Sequence, residues 1–308
     1  MKHYEFNYNK NFSCIADKCK HNCCIGWQID IDKKTLSSYQ ALKETDTRFN
    51  EDNFLGHTFR LNENLRCPFL DGDNLCHIIK NYGENTLCKT CKTHPRFKTF
   101  FTGITETGLG LYCEEACRII LSSKKKMKLV LVKDDEEKSH LSRFERKVLK
   151  FRKKVITILQ NRKLPISDRL FLLERTCEID LGKKSFPDWI KVFCSLEKLI
   201  VNDFTFNDFP KTKDFAQIEN GFELEFEQLL CYLTFRHLSR AIDVLDLRVR
   251  LAFVILSFKM INHIFSIKEN KDLNTLIEVC RFFSSEIETS DNNIFDLLDE
   301  IEDLVSLI

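Results

Sequence analysis

The chain has 308 residues, a formal net charge of +1 and 43% hydrophobic side chains, enough for two domains and a substantial core. The near-neutral balance gives no global pull toward nucleic acid or an anionic membrane. The longest strongly apolar stretch, Leu251 to Phe258, is far too short to span a bilayer.

In chain order, Met1 to Asn11 lacks the apolar middle of a secretory signal, so the expectation is a soluble, cytoplasmic protein in a reducing compartment. Residues 1–122 read as a cysteine-rich, loop-rich region. Trp27 to Asp32 alternates over too few residues for more than a short strand. Asp32 is a candidate cap for a helix from Lys33 through Leu42. Thr58 to Leu70 reads as extended, and Asp71-Gly72 supplies a turn. A short helix over Cys76 to Tyr82 is expected to stop at Gly83, which tolerates a left-handed cap. Phe97 to Tyr112 reads as a β-hairpin broken at Glu106-Thr107-Gly108. Glu114 then opens a helix carrying Cys117, Ile120 and Leu121.

Residues 123–140, basic at Lys124 to Lys126 and acidic at Asp134 to Glu137, read as a linker. From 141 to 308 the period is helical. Leu141, Phe144, Val148, Phe151, Val155 and Ile158 form one apolar stripe. Pro165 ends that helix, and Ser167 is a candidate cap for the next, which runs to about Gly182. Pro187 suits the first turn of a third helix reaching Val201. Further helices are expected over 213–219, 222–243, 246–267, 272–287 and 292–307. The fold class is mainly α: a metal-binding N-terminal region with short β-hairpins, then an all-α bundle.

The strongest signal is the distribution of the 14 cysteines. Ten fall between Cys14 and Cys117, as Cys14-x4-Cys19-x3-Cys23-Cys24, Cys67-x8-Cys76, Cys88-x2-Cys91 and Cys113-x3-Cys117. Thiolates are soft anionic ligands that complete tetrahedral zinc or hold an iron–sulfur cluster. On spacing alone a structural zinc is at least as good a reading as a cluster. A disulfide framework fits least in a chain without a secretory signal. Cys177, Cys194, Cys231 and Cys280 fall in apolar helix patterns and read as buried free thiols. No Cys-x3-Cys-x2-Cys triplet, dinucleotide-type glycine loop, P-loop or G-x-S-x-G elbow is present.

These residues resemble the flagellin lysine-N-methylase family. The matching pieces are Cys14-x4-Cys19-x3-Cys23-Cys24 with Gly26-Trp27, Cys67-Pro68-Phe69-Leu70, Leu75-Cys76-His77-Ile78, Thr90-Cys91-Lys92-Thr93-His94-Pro95-Arg96 and Leu111-Tyr112-Cys113-Glu114-Glu115-Ala116-Cys117-Arg118. They cover about the first 120 residues, and Glu227 to Arg236 (EQLLCYLTFR) resembles a short family motif further on. The resemblance implies a cytoplasmic protein that carries a [4Fe–4S] cluster and uses S-adenosylmethionine to methylate lysine amines, typically of flagellin. It implies metal ligands among Cys14, Cys19, Cys23, Cys24, Cys67, Cys76, Cys91 and Cys113. Cys88 and Cys117 stand where the family more often has a small residue, and Glu114 where it often has proline.

Methyl transfer to an amine needs a neutral lysine, whose ordinary pKa is about 10.4. His94 and Glu115 are candidate bases or orienting groups. Trp27 and Tyr112 are candidates to face adenine or the sulfonium, and Arg96 and Arg118 to bind a carboxylate. Each has a plainer reading as a core aromatic or a structural ion pair. His21 and His77 lie near cysteines, where a surface role is the safer reading. The basic run Lys124 to Lys154 reads as a linker followed by a solvated helix face, with no nucleic-acid partner. The reading is therefore an iron–sulfur lysine N-methyltransferase acting on a flagellin-like protein. The alternative is a non-catalytic zinc scaffold with a helical interaction domain, and a weaker third option is a metal carrier.

Overall fold

The computed structural model describes residues 1–136, 139–199 and 212–305. The first strand, β1 (Lys2–Phe6), is followed by a long loop carrying the first four cysteines. Helix α1 (Lys33–Leu42) starts where expected, with the Asp32 carboxylate accepting from the Thr35 N–H at 3.1 Å. Strands β2 (Phe54–Leu55) and β3 (Thr58–Phe59) form a small antiparallel pair, and most of the stretch 58–70 is loop. Helix α2 (His77–Tyr82) ends at Gly83, whose φ of +80° favours glycine. Helix α3 (Lys89–Thr93) is one short turn, and β4 (Arg96–Phe101), β5 (Ile104–Leu109) and α4 (Glu114–Leu121) follow.

Two expectations for this stretch need correcting. The hairpin turns at Thr102-Gly103, not at Glu106 to Gly108, which lie inside β5. Glu106 is tolerated in the strand because Arg152 meets its carboxylate with two hydrogen bonds of 2.6 Å, a partner 46 residues away. The stretch that charge marks as a linker contains β6 (Leu129–Asp134), paired with β1.

The remaining described elements are helical. They are α5 (Arg143–Leu159), α6 (Ile166–Cys177), α7 (Phe186–Ser195), α8 (Glu223–Leu238), α9 (Val244–Ser266), α10 (Leu273–Phe283) and α11 (Asp291–Glu302). Helix α5 opens on a capping box between Ser142 and Glu145. Ser185 caps α7, with Pro187 in its first turn. Helix α6 starts directly after Pro165, without a Ser167 cap, and stops at Cys177. There Glu178 turns left-handed, and Arg248 binds its carbonyl at 3.0 Å. The sequence offers no stop at this point, because the arginine comes from α9. Residues 213–219 are not helical: His263 and Asn262 of α9 bond the backbone of Ala216, Gln217 and Glu219. Helix α7 stops at Ser195, where Leu196 turns extended and residues 197–199 are irregular, short of the expected Val201, and α11 stops at Glu302, with a turn over 303–305; residues 200–201 and 306–307 lie outside the described residues. A short π-helical turn, Ser284–Glu288, separates α10 from α11.

The chain divides into two compact units. The larger comprises Met1–Phe12, Lys98–Tyr112 and Ala116–Ile308. Its sheet runs β4-β5-β1-β6, with β1 parallel to β5 and antiparallel to β6. Helix α9 packs against α6, α8, α10 and α11. It is buried nearly all round, as expected of a helix enclosed by others. Buried carboxylates lock this unit. Glu227 of α8 binds Arg162 and Arg169, at 2.8 and 3.1 Å. Glu288 takes His237 at 2.7 Å and the Tyr232 hydroxyl at 3.0 Å. The class is mainly α with small sheets. Among the described residues no helix is long and apolar enough to cross a membrane.

The smaller unit is Ser13–Phe97 with Cys113–Glu115. Its core is aromatic: Phe49, Phe59 and Phe69 lie within 4.8–5.1 Å of one another along the chain of contacts, and Tyr39 joins them at 5.2 Å. The cysteine-dense stretch of sequence and the compact unit are therefore not the same. Residues 1–12 and 98–112 contribute the larger unit's sheet, because their strands find partners there.

Candidate metal centre

Nine thiols fall in the smaller unit: Cys14, Cys19, Cys23, Cys24, Cys67, Cys76, Cys88, Cys91 and Cys113. None is in a disulfide. All eight cysteines of the motif set are thus in one unit, together with Cys88. Cys117 belongs to the larger unit, fully buried, with its thiol donating to the Ile277 carbonyl at 3.7 Å. Cys177, Cys231 and Cys280 are buried as well, and Cys194 partly so.

Local backbone chemistry places the thiols. The Cys67 N–H donates to the Cys24 carbonyl at 2.8 Å, and Gly26, at φ +94°, donates to the Leu65 carbonyl. This clamps the Cys23-Cys24 segment to the chain before Cys67. Asp71 builds the next turn: its carboxylate accepts from the N–H groups of Asp73 and Leu75 at 3.0 and 2.9 Å. Leu70 then bridges to Cys76. Cys88 caps α3, so Cys91 lies on its first turn. Asp32, besides capping α1, accepts from the Lys89 N–H at 3.0 Å and so fixes where α3 begins. These bonds to its ionised form hold the Asp32 carboxyl down at about 2.

The thiols form two neighbourhoods. Cys24, Cys67, Cys76, Cys88 and Cys91 border the aromatic core. Cys14 is electrostatically coupled to Cys23 and Cys113, and Cys19 to Cys113. Cys23 joins the two neighbourhoods, being coupled to Cys14 as well as to Cys67 and Cys76. Burial raises the Cys14 and Cys76 thiols and pushes Cys19 and Cys67 up to about 12. Cys23 is raised first by donating to Cys24 and then by burial, with a hydrogen bond from His94 opposing. Cys91 donates to Cys88, lowering Cys88 to about 7 and raising its own thiol. Among the described residues no three of these sulfurs lie within 4.8 Å of one another. The set is spread wider than the shell around one tetrahedral ion, where metal–sulfur bonds are about 2.3 Å.

The other predicted residues are divided between the units. In the smaller unit, His94 packs its ring 5.8 Å from that of Trp27. The Trp27 indole N–H donates to the Cys23 carbonyl, and Trp27 remains 40% exposed. Trp27, His94 and Cys23 are thus brought together. Arg96 is exposed at the start of β4, and Glu115 is buried in the first turn of α4. Tyr112 and Arg118 belong to the larger unit. His77 is absorbed by structure: its Nε2 meets the Asp46 carboxylate at 2.6 Å, where the Tyr82 hydroxyl also donates.

Sequence reasoning missed the work of Glu114. Its carboxylate accepts from the N–H groups of Lys20 and His21 at 2.8 and 3.2 Å, and from the Cys19 thiol at 3.5 Å. Glu114 thereby ties the Cys19 loop to the residue after Cys113. The signal available was the departure itself, an acid where the family often has proline. The second role of Asp32 left no signal, because its partner lies 57 residues away.

No protein-family model matches the chain, and no solved structure matches it. A protein named Lysine-N-methylase from Salmonella typhimurium is 33% identical over 128 residues, covering 38% of this chain and 32% of the relative. A protein of the same name from Salmonella choleraesuis is 33% identical over 129 residues, covering 39% and 32%. The chain spans about a third of the length of these two relatives. A protein named Flagellar biosynthetic protein FliU, from Salmonella muenchen, is 33% identical over 144 residues, covering 44% of this chain and 85% of that protein.

Proposed function

The chain belongs to the flagellin lysine-N-methylase family, and on that premise we propose that it is an S-adenosylmethionine-dependent protein lysine N-methyltransferase with a [4Fe–4S] cluster on its cysteine-rich unit. The acceptor would be a flagellin-type protein with surface lysines, a reading supported by the names of the relatives. The observation that carries the metal part is the gathering of nine reduced thiols in one unit of about ninety residues, ordered by backbone bonds rather than by disulfides. A soft, all-sulfur donor set fits an iron–sulfur cluster, and its spread fits a multi-atom core better than one zinc ion. Cys14, Cys19, Cys23 and Cys113, the coupled neighbourhood, are the ligands we favour, with Cys24, Cys67, Cys76 and Cys91 as the remaining candidates. The cluster would supply a charged, polarisable centre beside the donor.

The residues of the chain have definable tasks. The acceptor amine must lose a proton before it can displace the methyl group in line, and a nearby base or desolvation achieves this. His94, hydrogen-bonded to Cys23 and tilted against the Trp27 ring, is the base we favour over the buried Glu115. The exposed Trp27 face offers an aromatic surface to a sulfonium or an adenine. Arg96, exposed two residues beyond His94, offers a fork to a carboxylate.

The test begins with protein purified without oxygen. Near-stoichiometric cluster iron and acid-labile sulfide, followed by methyl transfer from S-adenosylmethionine to lysines of a flagellin read by mass spectrometry, is the expected result. Zinc without sulfide, with no donor binding by calorimetry, would sink the reading in favour of a non-catalytic metal scaffold.

A further inference from the structure

Strand β6 is an edge of the larger unit's sheet: β1 pairs with one side of it, and among the described residues no strand pairs with the other. Edge strands are ordinarily blunted, because their unpaired N–H and C=O groups template a further strand. Here the middle of the strand is apolar and in solvent, with Val130, Leu131 and Val132 exposed by 41, 47 and 55%. A bulge facing β1 leaves Val132 as the extra residue. The bulge adds twist but covers none of the three.

The flanks decide the partner. Lys124, Lys125, Lys126 and Lys128 precede the apolar run, and Asp134, Asp135 and Glu136 follow it. Lys126, Lys128, Asp134 and Glu136 are all exposed. This order is self-complementary only in an antiparallel sense. Placing Leu131 of two copies opposite each other brings the lysines before the apolar run of each copy to the acidic residues after the run of the other, an arrangement that occurs twice by symmetry. A parallel pairing would set like charges side by side, which destabilises a strand pair.

We propose that β6 is a self-association surface, on which a second copy of this chain adds antiparallel about Leu131 and joins the two four-stranded sheets into one. Six residues a side bury less than the roughly 1,000 Å² of a durable interface. The dimer is therefore weak and concentration-dependent, and salt weakens it further because its end pairs are exposed. The proposal does not depend on the methylase reading.

Charge swaps test it. Lys128→Asp puts an acid beside the other copy's acidic flank at both ends, and Asp134→Lys puts a base beside its lysines. Each single variant should lose affinity by on the order of tenfold or more. The double variant restores opposite charges at both ends, and so does an equimolar mixture of the two single variants, as a heterodimer. The readout is sedimentation equilibrium of the full chain under reductant, over a concentration series at low salt, with far-UV circular dichroism confirming the fold. Leu131→Glu, which puts two like charges on the axis at an exposed position, should also be monomeric. A wild-type chain that stays monomeric at every concentration, or a dimer that both single swaps leave intact, overturns the proposal. Monomeric behaviour would leave the edge to some other extended segment.

Discussion

Glu227 opens the EQLLCYLTFR motif, so its role is worth testing in depth. Its carboxylate is fully enclosed and receives the Arg162 guanidinium through Nε and Nη2 at 2.8–3.1 Å, with Arg169 Nη1 at 3.1 Å. Removing one partner of a buried ion pair costs about 3–5 kcal/mol, because the other charge stays buried and unpaired. Arg169 is only 3% exposed, but it also donates to the Leu159 and Leu164 carbonyls, which still shield it. Arg162 is 34% exposed and can turn to water, so its share is discounted. Glu227→Ala should therefore cost about 3 kcal/mol. For a unit of this size that lowers the melting temperature by roughly 6–12 °C. Glu227→Gln, which keeps one acceptor, should cost less, and Arg162→Met about 1 kcal/mol or less. Thermal and urea melts by far-UV circular dichroism measure all three, since helices of the larger unit dominate that signal. A Glu227→Ala cost below about 1 kcal/mol, with methyl transfer abolished, would refute the structural assignment and place Glu227 at a substrate.

Three further outcomes concern the cysteine-rich region. Asp32 sits at about 2 when folded against an ordinary 3.8. Its contribution is therefore complete above pH 4 and lost as pH falls toward 2; Asp32→Asn should remove this acid dependence and speed amide exchange at Lys89, whereas an unchanged profile would count against the α3 tether. Glu114→Ala frees the N–H groups of Lys20 and His21, and Cys19 should then react faster with a thiol reagent in metal-free protein; an unchanged rate would mean that another contact holds the loop. Cys117→Ala, buried in the larger unit, should leave iron and sulfide content at wild-type level, while Cys23→Ala should lower both. Loss of iron in Cys117→Ala would return that thiol to the ligand set.

Several local rules read from the sequence hold, although Ser167 does not cap α6, which starts directly after Pro165. Asp32 before Lys33, Pro187 in the first turn of α7 and Gly83 after Tyr82 act within one helical turn. They set helix ends without help from the rest of the chain. The apolar stripe of α5 is legible in part: its Val148 and Val155 are buried, and Leu159 rather than Ile158 is the buried residue at its end. Where a distant side chain supplies the bond, reading fails. Glu106 sits inside a strand because Arg152 pairs with it, and residues 213–219 stay irregular because Asn262 and His263 occupy their backbone groups.

The same division holds for the candidate centre. Cysteine identity and spacing select the thiols that gather in one unit and carry the family resemblance, since soft anionic ligands closely spaced in sequence point to metal chemistry whatever the fold. The sequence also determines the basic-to-acidic order around β6. Only the tertiary structure assigns Cys117 to a different unit from Cys113, four residues earlier, because α4 passes from one unit into the other along its length. It alone turns Glu114 into a clasp on the Cys19 loop and His77 into a partner of Asp46. Hydrogen bonds are decided by distances of about 3 Å in space, and residues 31 to 94 positions apart reach that distance only after the chain has packed.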